Sequence, residues 1–292
     1  ARAIKDDIEP GEELEFPLES HDEFGRIAAQ TAKQVILQRV REAERESIFD
    51  EYKGREGELV SGLVQRLEGR IVFVDLGRTM GVLTPEEQIP TERYRTGERF
   101  KAVITFVEKN PKGPGIYLSR SHPQLLKRLF ELEVPEISAG TVEIKALARE
   151  PGSRSKVAVI SHDDGVDPVG SLVGQKGTRV MTVMHELAGE KIDIIEWSQD
   201  SAEFIAHALS PAKVLEVVVR ESRREAEAYV APEQFSLAIG KGGQNVRLAA
   251  KLTGWRIDVK QKMPAGAAET DTKEEENEEN KENTSGGEDQ KI

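Results

Sequence analysis

The chain is 292 residues long, too long for one ordinary domain, and its 37% hydrophobic and 32% charged content suits several small cores under charged surfaces. No apolar stretch approaches the roughly 20 residues that a membrane span needs, no secretory leader is visible, and the absence of Cys excludes disulfides and thiol chemistry and fits a reducing cytoplasm. The net charge of −12 is unevenly spread: residues 264–292 hold ten acids against three bases, residues 1–55 fourteen against nine, and the middle is neutral, so an acidic total does not exclude a nucleic-acid-binding middle. The chain begins at Ala1 rather than Met, which reads as an upstream piece cut away.

Residues 1–19 are acidic with Ile4, Ile8, Leu14, Phe16 and Leu18 as apolar punctuation, and read as strand and loop. Ser20 and Glu23 have capping-box spacing. After them Phe24, Ile27, Ala28, Ala32, Val35, Ile36 and Val40 recur at helical steps, continuing through Phe49 and Tyr52 to Gly54, which predicts an amphipathic helix of about 30 residues. Such a face packs on a core or binds a partner. Residues 56–119 break into about five short β-rich runs separated by glycines, the size of a small OB-fold barrel. On such barrels an exposed aromatic stacks on bases and cations track phosphates. That nominates Arg66, Arg70, Phe73 and Arg78, with Phe73 equally readable as core.

From residue 120 a mixed α and β unit occurs twice. The first runs through a helix at 122–132, strands at 141–149 and 155–161, the turn Asp163–Pro168, a short helix, Gly174-Gln175-Lys176-Gly177, a second helix to Leu187 and a strand at 191–197. The second repeats the order with a helix at 201–208, strands at 213–219 and 225–230, Gly240-Lys241-Gly242-Gly243, a helix to Leu252 and a strand at 256–261. The glycine cassettes lie 66 residues apart and the Ile-Asp pairs that open the last strands, Ile192-Asp193 and Ile257-Asp258, lie 65 apart. Duplication is the simplest account. Residues 264–292 are rich in Glu, Asn and Lys with almost no apolar side chains, and read as a disordered acidic tail.

A glycine pair with a basic residue between two helices suits a sugar-phosphate backbone. The first glycine takes angles that a side chain forbids, the second lets the ligand approach, and the following helix offers free N–H groups and a favourable dipole. Lys176 and Lys241 then add charge at the same place, and Arg179 reaches a phosphate or base edge where its counterpart Asn245 offers a neutral hydrogen bond. Arg247 lies in the same basic stretch, since residues 240–263 carry six Lys or Arg and only Asp258 as an acid. Neither cassette has the spacing of a P-loop or of a dinucleotide fingerprint. The competing reading is a structural helix-turn-helix in which glycine merely permits the turn.

Catalytic signals are thin. His21, His122, His162, His185 and His207 are scattered without metal-ligand spacing, and His162-Asp163-Asp164 reads as a solvated turn. No metal, cofactor or catalytic residue is expected. An RNA-processing enzyme that uses such modules as accessories would need a core domain for which no residues are left.

With these features in hand, the chain resembles the NusA family of bacterial transcription elongation and termination factors. The resemblance is carried by Phe24-Gly-Arg-Ile-Ala-Ala-Gln-Thr-Ala-Lys-Gln34, Pro85-Glu-Glu-Gln-Ile-Pro90 with Glu92-Arg-Tyr94, Leu118-Ser-Arg120, Leu129-Phe-Glu-Leu-Glu-Val-Pro-Glu-Ile137 and Asp167-Pro-Val-Gly170, and it covers about residues 20–262. It implies an α+β multidomain protein. Residues 1–55 would be the end of an N-terminal polymerase-binding domain with its long helix, 56–120 an OB barrel of the S1 type, and 121–198 and 199–263 two tandem type II KH domains. It further implies a cytoplasmic, monomeric, non-catalytic regulator of pausing, termination and antitermination. The partners it implies are RNA polymerase, nascent single-stranded RNA and other Nus factors, with no membrane. An alternative of the same class is an RNA-binding protein of RNA processing or translation. One departure stands out: Arg70-Ile-Val-Phe73 occupies the place of the Phe-Gly-x-Phe signature of many S1-type domains.

Overall fold

A computed structural model describes residues 22–262 except Lys112, with side chains from Gly25 onward. The expected N-terminal strand and loop, the capping box, the side chain of Phe24 and the acidic tail lie outside the described residues. The elements in chain order are helix α1 (Asp22–Lys53), strands β1 (Leu59–Glu68), β2 (Ile71–Asp75), β3 (Met80–Leu83), β4 (Arg99–Asn110) and β5 (Gly113–Ser119), then α2 (Pro123–Glu133), α3 (Pro135–Ser138), β6 (Val142–Glu150), β7 (Arg154–Ser161), α4 (Pro168–Val173), α5 (Thr178–Glu186) and β8 (Lys191–Glu196). The second unit follows as α6 (Ser201–Ala208), β9 (Val214–Arg220), β10 (Glu225–Val230), α7 (Pro232–Ile239), α8 (Gln244–Thr253) and β11 (Arg256–Gln261). The expected boundaries from 122 onward fall within a residue or two of these. No helix among the described residues is long and apolar enough to cross a membrane.

Helix α1 is continuous over 32 residues, but its apolar stripe is not a core. Ile27, Val35, Ile36, Leu37 and Val40 are 46–62% exposed, and only the last turns engage, through Ile48, Phe49 and Tyr52 against the barrel. There Lys109 pairs with Glu46 at 2.9 Å and lies over Phe49, and Arg45 donates to the Pro111 carbonyl at 3.1 Å.

Strands β1–β5 form a closed barrel in the order β1-β2-β3-β5-β4, which leaves no strand edge unpaired along its circuit. Alternation sends Val60, Val64, Val72, Val74, Leu83, Ile104, Ile116 and Leu118 inward. Two glycines allow closure: a Cβ on Gly62 would lie 2.2 Å from Val74 Cγ1, and one on Gly81 would lie 2.6 Å from Leu118 Cδ1.

The two following units share one plan. Each has a three-stranded sheet, β6-β7-β8 and β9-β10-β11, with one antiparallel pair and one parallel pair. Asp167 and Asp200 cap α4 and α6, accepting hydrogen bonds from Val169 N (3.0 Å) and Ala202 N (2.9 Å). The units are not separate beads. One face of β6-β7-β8 is covered by α2, α4 and α5 through Leu126, Phe130, Val157, Val159, Leu172 and Val183. The other face, formed by Ala148, Ala158 and Ile195, packs on Phe204, Ile205, Leu248 and Leu252 of α6 and α8. The second sheet lies on the far side of those same helices through Ala226 and Ala228. The layers therefore run helices, sheet, helices, sheet.

Charges are buried at both junctions. Arg120, 2% exposed, pairs with Glu92 and donates to the Glu186 carbonyl at 2.8 Å, while Lys101 pairs with Glu186 at 2.7 Å, tying the barrel to α5. Inside the first unit Arg149 forks onto Glu190 (2.9 and 2.9 Å) and reaches the His122 carbonyl (2.9 Å), and Ser155 Oγ also donates to Glu190 (2.5 Å). Lys156, fully buried, bonds Asp193 (3.2 Å) and the Ser210 carbonyl in the second unit (2.7 Å). Burial pushes its ammonium below the usual lysine range, and Asp193 opposes that shift.

Removing one partner from such a pair leaves an uncompensated buried charge. Glu190→Ala should therefore cost about 3–5 kcal/mol. Urea unfolding followed through Trp197 and Trp255, the only two tryptophans, checks this where it matters, because both are partly buried against the layered core.

Candidate nucleic-acid interface

The two cassettes have the same backbone. Gly174 and Gly240 lie at φ/ψ of 72°/173° and 75°/172°, Lys176 and Gly242 at 53°/25° and 59°/27°, and Gly177 and Gly243 at 80°/12° and 74°/14°. The first position is open to glycine alone. Close approach adds a second reason: a Cβ on Gly174 would meet Arg179 Cγ at 2.8 Å, and one on Gly240 would meet Asn245 Cβ at 2.8 Å. No side chain caps α5 or α8; the first amide of each, on Thr178 or Gln244, donates back to the Gln175 or Lys241 carbonyl, and the positive end of each helix dipole lies at its cassette.

This alignment corrects the expectation that the two lysines stand at the same place. Lys241 occupies the second cassette position, opposite Gln175, and Lys176 the third, opposite Gly242. Lys176 there adopts a left-handed conformation that costs a side-chain-bearing residue of order 1 kcal/mol. Both lysines are exposed and have no ion-pair partner among the described residues.

Arg179 and Asn245 are also corrected: both are tied into the protein rather than aimed at a ligand. Arg179 Nη1 donates to the Ser171 carbonyl (2.7 Å) and to both Glu136 carboxylate oxygens (3.0 Å). Asn245 is 2% exposed, and its Nδ2 donates to the carbonyls of Leu209 (2.9 Å), Leu237 (3.3 Å) and Ala238 (3.0 Å). Ser171 and Leu237 are 66 residues apart, like Arg179 and Asn245. The two side chains thus do one job, folding back over the first glycine to satisfy the end of the preceding helix, whose last carbonyls have no partner within that helix.

Arg247 remains at the surface, but it is engaged. Its Nε donates to Glu150 Oε1 (2.6 Å), its Nη2 to Glu150 Oε2 (3.2 Å) and its Nη1 to the Gly242 carbonyl (3.2 Å), while Gln244 Nε2 bonds Glu150 (2.8 Å) and Ser153 (2.7 Å). The hydrogen bonds from Arg247 hold the Glu150 carboxyl below the usual carboxylate range. The second cassette is therefore braced by the β6–β7 turn of the first unit.

On the barrel, Phe73 is half-buried and lies on the outer wall, because Val72 and Val74 take the interior. Arg66 lies 4.2 Å over its ring and pairs with Glu68 at 2.7 Å. Arg78 pairs with Glu51 of α1, whereas Arg70 is exposed with its side chain unpaired among the described residues. Sequence reasoning missed a stacked pair on the same wall, Phe106 and Tyr117, with centroids 4.2 Å apart and planes at 11°. Their pairing across the β4–β5 hairpin was the available signal. His162, read as part of a solvated turn, is exposed and bonds Glu143 at 2.9 Å.

Comparison with known proteins adds a family. Residues 120–197 match the NusA-like first KH domain, 201–266 the NusA-like second KH domain and 1–46 the NusA N-terminal domain. The chain is 55% identical to the transcription termination/antitermination protein NusA of Bacillus subtilis over 91% of this chain and 71% of that protein. It is 54% identical to that of Halalkalibacterium halodurans over 91% and 69%. To that of Thermus thermophilus it is 50% identical over 86% and 65%.

The geometry separates residues that hold the cassette from residues free to bind. Asn245→Ala should lower stability by about 1–3 kcal/mol, by orphaning buried carbonyls, and leave the folded protein's RNA affinity nearly unchanged. Lys241→Ala should do the reverse. Thermal melts and filter binding on the same two variants check it.

Proposed function

The chain belongs to the NusA family of transcription termination/antitermination proteins, and from that premise we propose that it grips nascent single-stranded RNA with both cassettes while associated with RNA polymerase, modulating pausing, termination and antitermination. The observation that carries this reading is the pair of cassettes with matching backbone angles, each at a helix N-terminus without a side-chain cap and each carrying an exposed lysine that is unpaired among the described residues. Together they supply what a phosphate backbone needs: close approach, a favourable helix dipole and positive charge. The working parts in this reading are the barrel at 56–120 and the KH units at 121–198 and 199–263, with residues 1–55 directed to the polymerase. The protein acts as a cytoplasmic monomer, alongside other Nus factors, without cofactor or catalytic step.

Charge reversal at Lys176 and Lys241 tests it. Gly242 is left in place because its φ of 59° disfavours a side chain. The Lys176→Asp, Lys241→Asp variant should bind RNA more than about tenfold more weakly, with the slope of log affinity against log salt reduced by about 0.7 for each phosphate no longer neutralised. It should still co-purify with RNA polymerase yet fail to prolong pauses. Unchanged affinity in a filter-binding titration would overturn the reading.

A further inference from the structure

The second cassette carries an anion that belongs to the protein itself. Glu150, the last residue of β6, reaches across from the first unit and sets its carboxylate against the first turn of α8. Three donors converge on it: Arg247 Nε on Oε1 at 2.6 Å, Arg247 Nη2 on Oε2 at 3.2 Å and Gln244 Nε2 on Oε2 at 2.8 Å. The other arm of the same guanidinium, Nη1, lies on the Gly242 carbonyl at 3.2 Å, so the pair sits on the cassette. This two-point contact along one guanidinium edge is also the geometry in which arginine binds a phosphate. Hydrogen bonds from Arg247 hold the Glu150 carboxyl below the usual carboxylate range, with Gln244 and Lys251 acting in the same direction, so it is an anion at neutral pH.

The first cassette has no counterpart. With the cassettes aligned, Thr178 stands for Gln244 and the exposed Met181 for Arg247, so neither donor exists there. The hairpin ends differ in the same way. Glu150 closes the β6–β7 ladder opposite Arg154, whereas the β9–β10 ladder closes with Arg220 opposite Glu225, the reverse order of charge. Arginine and acid therefore occur together, at the cassette against which the hairpin end of another unit is packed.

We propose that the Arg247 fork and Gln244 Nε2 form a phosphate subsite of the second cassette, and that Glu150 fills this subsite as a stand-in until an RNA phosphate displaces it; this rests on the RNA reading above. The pair is open to water, with the Glu150 side chain 22% exposed and that of Arg247 48% exposed. Ion pairs so exposed are held weakly, by a factor of about five or less. Exchange replaces one anion by another, so Arg247 keeps a partner throughout. While Glu150 holds the fork, the charge of Arg247 is cancelled, and Lys241 is left as the exposed cation within the cassette. Glu150 thus holds α8 in place when RNA is absent and sets a threshold that a strand must exceed to engage the second cassette fully.

The test titrates the full chain with an oligoadenylate dodecamer by filter binding over a range of salt. Glu150→Gln keeps the size of the side chain and an acceptor for Gln244 while removing the charge. It should bind about threefold to fivefold more tightly, and the slope of log affinity against log salt should steepen by about 0.7, for one further phosphate neutralised. Adding Arg247→Ala should remove both changes. Glu143→Gln, which removes a solvent-accessible carboxylate near the other end of β6, should alter neither. Unaltered binding by Glu150→Gln overturns the proposal. Weaker binding overturns it too, because Glu150 would then be a support for the cassette. So does an equal gain with Arg247→Ala present or from Glu143→Gln, which would reduce the effect to general repulsion. The Lys176→Asp, Lys241→Asp variant run in parallel separates the two ideas. If it binds RNA normally, the cassette reading has failed; if it loses binding while Glu150→Gln matches the parent, the phosphate exchange alone has.

Discussion

Sheet β6-β7-β8 has no free face, and the positions of both cassettes follow from that. Its ladders place Ala158 beside Ile195, and these apolar side chains accept α6 and α8 of the second unit. At the corresponding ladder position of the second sheet stand Tyr229 and Lys260. There Tyr229 bonds Glu227 (2.8 Å), Lys260 pairs with Glu227 (3.0 Å) and Arg220 joins the same carboxylate (2.9 Å). One face is built to be covered and its duplicate is built to stay wet.

The burial of Lys156 and of the Arg149–Glu190 pair belongs to the same constraint. Buried ion pairs contribute little net stability against well-packed apolar residues, but breaking one is costly. Their partners are the carbonyls of His122 and Ser210, where the chain enters the first unit and approaches the second strand pair. Exit and entry are thereby held at defined points. Arg120 does the equivalent work between barrel and first unit, and Glu150 carries the constraint to the second cassette by holding Arg247, which in turn holds the Gly242 carbonyl. In the proposed function an RNA strand meets surfaces whose spacing is set before it binds, so less ordering cost falls on the binding step.

The duplication was legible because a repeated glycine cassette and a repeated Ile-Asp pair mark both the turn and the following strand. Short β-rich runs separated by glycines likewise revealed the barrel. The site was less legible, for two physical reasons. Arg179 and Asn245 look like ligand groups by type and spacing, yet each is consumed by carbonyls at the end of the preceding helix, and that need appears only once the helix-turn-helix closes. Phe106 and Tyr117 escaped because a bulge at Thr105 breaks the alternation from which a face is read. The stripe on α1 was legible as a helix but not as a core, since periodicity defines a face without saying what covers it. The stretches Glu92-Arg-Tyr94 and Leu118-Ser-Arg120, which carried part of the family resemblance, contain the two halves of the buried Arg120–Glu92 pair.

The central claim is that the first sheet, covered on both sides, fixes the two cassettes relative to each other. The chain lacks Cys, so spin labels can be placed without background at Met181→Cys on α5 and Lys251→Cys on α8, both exposed. The distance distribution between them, measured by pulsed electron–electron resonance with and without single-stranded RNA, should be one narrow peak that RNA does not move. A broad or bimodal distribution, or a peak that shifts on adding RNA, would contradict it.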